Sequence, residues 1–416
     1  MDLPLNHNQP LIMHVDLNSC FATCEQQASP LLRGKPIVVA AYNSPNGCVV
    51  APSIEAKQFG IKTGMIVRDA KVLCPQVIVK TPDPPKYRAI HLQFKKIFQD
   101  YSPDVVPKSI DEAIIDFTHT YALHKKTLTE IGMEIKRRMR EEIGEWIRCN
   151  IGIGTNRFLA KTAAGLHKPD GLDIITHENL RSVYQKLKLT DLCGINTRYE
   201  ARLTSKGIFT PLQFVDAPLQ KLQKEVFQSI NGYYWYLRLR GWEIDEVEFK
   251  RKSFGQSYAL GNKTADKQEL SRLLMKLTEK MARRMRKAKF AAQGVHVALV
   301  YTNWTYWHKG RTFDMPLYTT EELFKKVMLL FNSQPNASVV AKLAVSCFDL
   351  VPVGSVQASL FDTDFEKRRQ VSDALDTIND KYGEYVITPA LMMGMDDLIV
   401  DRVAFGGVKE LQELYI

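Results

Sequence analysis

Residues 11–17, LIMHVDL, read as a buried strand that ends in a carboxylate, Asp16. Two later strands, VVPKS (105–109) and AIIDF (113–117), flank Ile110, Asp111 and Glu112. A helix over about 86–101 leads into them. A helix over roughly 126–142, a strand at 149–153 and another helix at 156–166 follow. The order strand–helix–strand–strand–helix–strand resembles a ferredoxin-like unit with an insertion at about 28–85. Inside the insertion, PIVVAAY (36–42) and CVVAP (48–52) read as strands around the turn Ser44 to Gly47. Residues 53–59 and 66–73 read as short helices, and TPDPPK (81–86) as a rigid connector. Such a topology hosts many functions, so the chemistry has to come from particular side chains.

The chain of 416 residues is too long for one hydrophobic core, and about 100–200 residues per domain gives three or four domains. A small helical region covers 178–246. Within it LCGINTRYEARLTSKGI (192–208) reads as a helix–hairpin–helix. Residues 247–253 are polar and basic, a linker. A second α+β domain follows over 254–352. There Leu270, Leu273, Leu274, Leu277 and Met281 fall at helical spacing, GVHVALVY (294–301) and VVAKLAVSCF (339–348) read as strands, and a helix lies near 320–331. Residues 353–416 form a tail with a helix near 365–381.

Charge is unevenly placed. The net charge is +10, yet residues 250–313 hold 15 Lys and Arg against 3 Asp and Glu, a net of +12. The rest of the chain sums to −2. One contiguous segment carries the whole excess, as expected of a face that binds a polyanion. The seven cysteines form no CxxC pair and have no His cluster near them, which argues against zinc or a disulfide framework and for reduced, mostly buried thiols. No run approaches the ~20 apolar residues of a membrane span, and the N-terminus lacks a secretory pattern. A soluble cytoplasmic protein without a membrane partner is expected.

Asp16, Asp111 and Glu112 at adjoining strand ends would repel one another unless a cation neutralises them. Hard oxygen ligands suit magnesium, and two such ions can hold the attacking and leaving oxygens of a phosphoryl transfer. By themselves three acids spread over 96 residues read rather as a helix cap and a surface turn. Longer blocks reverse this. DLNSCFATCEQ (16–26), GKPIVVAAYNSPNGCVVAPSIEAKQFGIKTGM (34–65), SIDEAIIDF (109–117) and NIGIGTNRFLAKTAAGLHKPDGL (150–172) occur in order. Together they resemble the Y-family DNA polymerases, the group that includes bacterial polymerase IV and the catalytic subunit of polymerase V. The similarity covers nearly the whole chain.

The resemblance implies an α+β, multidomain right-hand polymerase. Its ferredoxin-like palm would span 1–27 and 86–177, small fingers 28–85, a helical thumb 178–246, the linker 247–253, an α+β little finger 254–352, and a tail 353–416. It implies low-fidelity, template-directed DNA synthesis across damage, in DNA repair and the SOS response, from primer-template DNA and dNTPs. Asp16, Asp111, Glu112 and the Leu17 carbonyl match the ligands of two Mg2+ ions. Phe21 matches the steric gate that excludes a 2′-hydroxyl, and Lys57 and Lys168 match triphosphate-binding positions. Many relatives read YEARKFG where this chain has Ile54-Glu55-Ala56-Lys57-Gln58-Phe59-Gly60. Ile54 cannot donate a hydrogen bond, and Lys57 offers a point charge in place of a bidentate fork, which implies differently shaped phosphate contacts. Polymerase V-like members share that departure.

Three other features follow the resemblance. Cys193-Gly194-Ile195-Asn196 would turn backbone amides toward a DNA phosphate, with Asn196 standing where a second glycine is usual. Lys250, Arg251 and Lys252 in the linker, and Arg283, Arg284 and Arg286 at a helix end, are candidate DNA contacts; compensation of the helix dipole is the other reading for the arginines. Gln357-Ala358-Ser359-Leu360-Phe361 resembles the peptide that docks bacterial polymerases on the sliding clamp. Residues 362–416 would cover the little finger or bind an accessory subunit. A non-catalytic polymerase-like DNA-binding protein and a nucleotidyl cyclase are the rival readings. The retained carboxylates argue against the first, the extra domains against the second.

Overall fold

The computed structural model describes residues 3–246, 251–335, 338–355, 364–395 and 398–399. The chain divides into two compact units at Glu248 and Phe249. In chain order the first unit contains β1 (Ile12–Leu17), α1 (Cys20–Ala28), β2 (Ile37–Ala40), β3 (Val49–Pro52), α2 (Ile54–Gln58), α3 (Val67–Leu73), β4 (Ile78–Lys80) and α4 (Pro84–Gln99). There follow β5 (Val105–Pro107), β6 (Glu112–Asp116), α5 (Leu128–Arg138), β7 (Cys149–Gly154), α6 (Arg157–Ala163) and β8 (Leu172–Ile174). Five short helices close the unit: α7 (Leu180–Lys186), α8 (Thr197–Thr204), α9 (Pro211–Asp216), α10 (Leu219–Lys221) and α11 (Asn231–Leu239).

A five-stranded sheet of order β5-β6-β1-β7-β8 is the frame of this unit. β1 lies between β6 and β7 and is antiparallel to both. Alternation along β1 sorts its side chains. Met13, Val15 and Leu17 enter a core shared with Phe94, Phe98, Ile131 and Ile135. Ile12 packs on the other face with Ile114 and Ala160 of α6. Helix α6 sits almost against β7 because Gly152 and Gly154 leave room. A Cβ on Gly152 would stand 2.0 Å from the Ala160 carbonyl oxygen, and one on Gly154 2.6 Å from the Ala160 nitrogen. The GIG run therefore sets how close α6 comes to the sheet.

The insertion forms a small separate sheet, order β3-β2-β4, with its own core of Val38, Val49, Ala56, Ile61, Ala70, Cys74 and Val77. The helical cluster packs around Phe214, Trp235, Tyr236 and Leu239. Asn196 caps α8, its side chain accepting from the Arg198 and Tyr199 amides. An Asn is a strong N-cap, which explains why this residue stands there in place of glycine. β4 and β8, three residues each, pair in parallel with β2 and β7 and are not marked by the sequence pattern.

The second unit contains β9 (Ser253–Thr264), α12 (Lys267–Lys287), β10 (Phe290–Tyr301), β11 (Tyr306–Leu317), α13 (Thr320–Phe331), β12 (Val340–Pro352) and α14 (Phe365–Tyr382). Its antiparallel sheet has the order β11-β10-β12-β9. β9 begins inside the stretch read as linker, and β11 was not expected. β11 is an edge strand rich in exposed Lys, Arg and His with Pro316 near its end, the usual disguise of an edge.

One expectation about this unit is corrected, that of Arg286 as a DNA contact. Beyond residue 363, Met392, Met395 and Ile399 join the core of the unit. Arg286 is not available to DNA, and Arg283 is engaged within the unit. Arg286 is 4 % exposed. Its guanidinium holds both oxygens of Asp376 at 2.6 and 2.9 Å, with Glu279 at 3.8 Å. Arg283 pairs with Asp380. On the same helix Arg272 donates to the Leu391 carbonyl at 3.2 Å, and Lys280 to that of Ile399 at 2.7 Å. Much of the positive charge of α12 thus binds the chain's own C-terminal segment. Arg284 remains half-buried, with weak contacts to Gly255 and Gln256. Arg251 lies over the Phe254 ring at 4.5 Å, and Lys252 is exposed. Lys250, Gln357, Leu360 and Phe361 fall outside the described residues. Among the described residues no helix is long and apolar enough to cross a membrane.

Candidate active site

The ladder between β1 and β6 sets Asp16 opposite Glu112. Paired residues on antiparallel strands share a face, so both carboxylates point to the side where α6 lies. Asp111 joins them through the backbone: the Leu17 amide donates to the Asp111 carbonyl at 2.9 Å. The Asp111 carboxylate is oriented by the Ser109 hydroxyl at 2.5 Å. Three acids separated along the chain thus meet at one end of one sheet.

Two ammonium groups stand among them. Lys161 of α6 donates to Glu112 Oε2 at 2.7 Å, and Lys168 pairs with Asp16. Burial raises the Asp16 carboxyl pKa, and Lys168 opposes that rise. Burial also raises Asp111, the Ser109 hydrogen bond works the other way, and the Asp16 and Glu112 charges add to the rise. At Glu112 burial pulls upward too, but the Lys161 charge and hydrogen bond win and hold it below its ordinary value. Beneath Glu112, at 3.8 Å, lies His14. Burial pushes its pKa down to about 4, and both ring nitrogens lack a hydrogen-bond partner among the described residues.

Among the described residues no three His, Cys, Asp or Glu side chains are placed so that they could hold a metal ion as they stand. The donor set nonetheless fits a hard divalent cation: three carboxylates at one strand end, two of them already neutralised by a positive charge.

Beside the acids opens a cavity of about 590 Å3. One wall is Asp16 to Phe21; the facing wall is Val50, Ala51, Pro52, Ile54, Lys57 and Gln58 from the insertion. Asp111 and Lys168 close it. Lys57 is partly desolvated there, which lowers its pKa, as does the nearby Lys168 charge, while Asp16 opposes both. Phe21 is 7 % exposed and stacks on Tyr87, centroids 4.5 Å apart. Ile37 belongs to the core and does not line the cavity, whereas Val50 does. A second cavity, about 640 Å3, lies on the other side of Glu112, between Lys108, Lys161, Arg157, Gly194, Trp235 and Arg238.

The sequence brought Asp16, Phe21, Lys57, Asp111, Glu112 and Lys168 to notice, and the fold gathers all six at one place. It did not single out Lys161, Ser109 or Tyr87. The available signals were FLAK inside the NIGIG block, Ser109 opening SIDEA, and a Tyr in the first turn after TPDPPK.

Comparison with known proteins is consistent along the chain. Residues 15–165 match the model of the impB/mucB/samB family, and residues 251–360 that of the same family's C-terminal domain. DNA polymerase IV of Pelotomaculum thermopropionicum is 32% identical over 397 residues, covering 94% of this chain and 97% of its own. DNA polymerase IV 1 of Bacillus subtilis is 29% identical, covering 91% and 92%. Among solved structures, a Y-family DNA polymerase chimera, Dbh-Dpo4(243-245)-Dbh, superposes with a TM-score of 0.70 at 22% identity, over 82% of this chain and 99% of that one. The insertion ternary complex of Dbh DNA polymerase gives a TM-score of 0.57 at 23% identity, with the same coverage. These last two show a shared fold. With the relatives and family models taken together, the chain belongs to the impB/mucB/samB family and is a Y-family DNA polymerase similar to the bacterial enzymes named DNA polymerase IV.

Proposed function

We propose that the chain adds deoxynucleotides to a primer 3′ end opposite a template base, across damaged DNA, with Asp16, Asp111 and Glu112 as its catalytic centre. The observation that carries this is the pairing of Asp16 with Glu112 and the bond from Leu17 to Asp111, set beside a cavity that also holds Lys57 and Lys168. The three carboxylates and the Leu17 carbonyl would hold divalent cations, two magnesium ions in our reading. Bound there, they would acidify the primer hydroxyl and neutralise phosphate charge.

The chain's own groups do the rest. Phe21 lines the cavity, where a 2′-hydroxyl would meet its ring. Lys57 and Lys168 draw the triphosphate, and Lys168 is free to leave Asp16 when phosphate oxygens compete for it. Val50, Ala51 and Ile54 offer small apolar surfaces to the nascent base pair. They carry no hydrogen-bonding side chain that could reject an altered base, which supports low fidelity. The cations of the second cavity suit the primer backbone approaching from the thumb.

In this reading the five-stranded sheet is the palm, the insertion the fingers, the helical cluster the thumb and the second unit the little finger. Primer-template DNA and a dNTP are the partners, in keeping with the ternary complex of the Dbh relative. Gln357, Leu360 and Phe361 would dock on a sliding clamp, and the site of action is the cytoplasm, in DNA repair and the SOS response.

The deciding experiment is primer extension by Asp111→Ala. Extension should fall by about a hundredfold or more while affinity for primer-template DNA is retained. Extension at the wild-type rate would refute the site.

A further inference from the structure

Lys168 sits in a loop, residues 167–171, whose backbone is gripped on both sides of it. Asn150 Nδ2 donates to the His167 carbonyl at 3.0 Å, and Asn18 Oδ1 accepts from the Asp170 amide at 2.8 Å. The two asparagines are joined: Asn18 Nδ2 donates to Asn150 Oδ1 at 2.7 Å. Both are buried, Asn18 at 6 % exposure and Asn150 at 0 %. A chain of amide hydrogen bonds therefore runs from the end of β1, across β7, to the residue before Lys168 and the second residue after it. From behind, the buried Lys136 holds the Gly171 carbonyl at 3.3 Å and the Asp170 carboxylate at 3.0 Å.

We infer that Asn18 and Asn150 are positioning residues for the triphosphate. They fix the backbone from which Lys168 reaches, so that its side chain alone moves between Asp16 and the substrate. The inference rests on the reading of Lys168 as a triphosphate ligand. A lysine is a flexible point charge. On a loose loop it would lose much freedom each time it engaged a phosphate, and anchoring the loop beforehand removes part of that cost. Asn18 also lies between Leu17 and Phe21, so one stretch of backbone registers the lysine, the carboxylate and the sugar-facing ring together. The choice of amides has a physical reason. Carboxylates here would add to the repulsion among Asp16, Asp111 and Glu112, and apolar side chains would leave the His167 carbonyl and Asp170 amide without these partners.

The test is steady-state kinetics with a varied dNTP on a fixed primer-template. Asn18→Ala should raise KM for the dNTP about tenfold and change kcat by less than about threefold, while Lys168→Ala raises KM at least as much. Adding Asn18→Ala to Lys168→Ala should cost little more than Lys168→Ala alone, because both act through the same ammonium. Asn150→Ala should repeat the pattern; if its burial prevents folding, Asn18→Ala decides by itself. An unmoved KM in Asn18→Ala alongside a raised KM in Lys168→Ala overturns the bridge. So do penalties that simply multiply in the double variant. An unmoved KM in Lys168→Ala overturns the triphosphate reading first, and the bridge with it.

Discussion

Phe21 lies nearly parallel to Tyr87, their planes 20° apart, and the Tyr87 hydroxyl donates to the buried Glu25 at 2.9 Å. Lys86 completes the support by pairing with Glu25 at 3.0 Å. The Phe21 ring is therefore backed by a second ring that is itself tied down. If Phe21 is the sugar gate proposed above, it cannot yield to a bulkier sugar without disturbing the Glu25–Lys86 pair.

Truncation at Phe21 should accordingly be read in sugar choice. Phe21→Ala is expected to raise the ratio of ribonucleotide to deoxynucleotide insertion at least about tenfold. Parallel single-nucleotide insertion assays with dNTP and rNTP measure it. An unchanged ratio would remove Phe21 from this role.

His91 gives a pH dependence of stability. It is fully buried, and its Nδ1 meets the Ile110 carbonyl at 2.9 Å, just before Asp111 and Glu112. Burial pushes its pKa down to about 4, below the ordinary 6.5. The unfolded chain therefore takes up the proton first as pH falls, and stability declines from about pH 6.5 towards pH 4. Between pH 7.5 and pH 5 this residue should cost about 2 kcal/mol. Urea unfolding of wild type and His91→Gln at the two pH values checks it, since Gln keeps a donor but does not titrate. Equal losses in both proteins would contradict the assignment.

The Arg286–Asp376 pair should matter to stability. Removing Asp376 leaves the buried Arg286 with only the more distant Glu279 at 3.8 Å, at a cost of about 3 kcal/mol. Asp376→Ala should lower the melting temperature of the second unit by several degrees in calorimetry. Wild-type melting would mean that α14 is not held as described.

Salt dependence separates surface cations from committed ones. Lys252→Ala should lessen the slope of log Kobs for primer-template DNA against log salt by about one. Arg283→Ala should leave the slope as it is, because Arg283 is paired with Asp380. Fluorescence anisotropy at several salt concentrations gives both numbers. The reverse pattern would return Arg283 to the DNA-binding surface.

The parts of this molecule that could be read from its sequence are those whose partners lie within one motif. Asp16 and SIDEA alone read as a helix cap and a surface turn; they stand out through the long blocks DLNSCFATCEQ and SIDEAIIDF that surround them and the family these resemble. Lys161 did not stand out, since a lysine on an amphipathic helix looks solvated and its partner Glu112 is 49 residues away. Arg286 and Arg283 show the same limit: Asp376 and Asp380 come 90 and 97 residues later, so a local charge count sees only the positive half. β9 escaped notice because its inward residues Phe254, Tyr258 and Leu260 alternate with Gly, Ser and Ala, too weak a pattern to separate from a linker.

The ladder that sets Asp16 against Glu112 also limits how this chain can change in length. Insert one residue within β1 or β6, and every side chain beyond it turns to the opposite side of the sheet, carrying an acid away from its companions and into hydrocarbon. Within residues 28–85 the same holds for β2, β3 and β4, whose pairing places Val50 and Ala51 on the cavity, but not for the turns between them. Lineages descended from this protein should accumulate gaps and additions in such turns, while the paired strands keep their residue count.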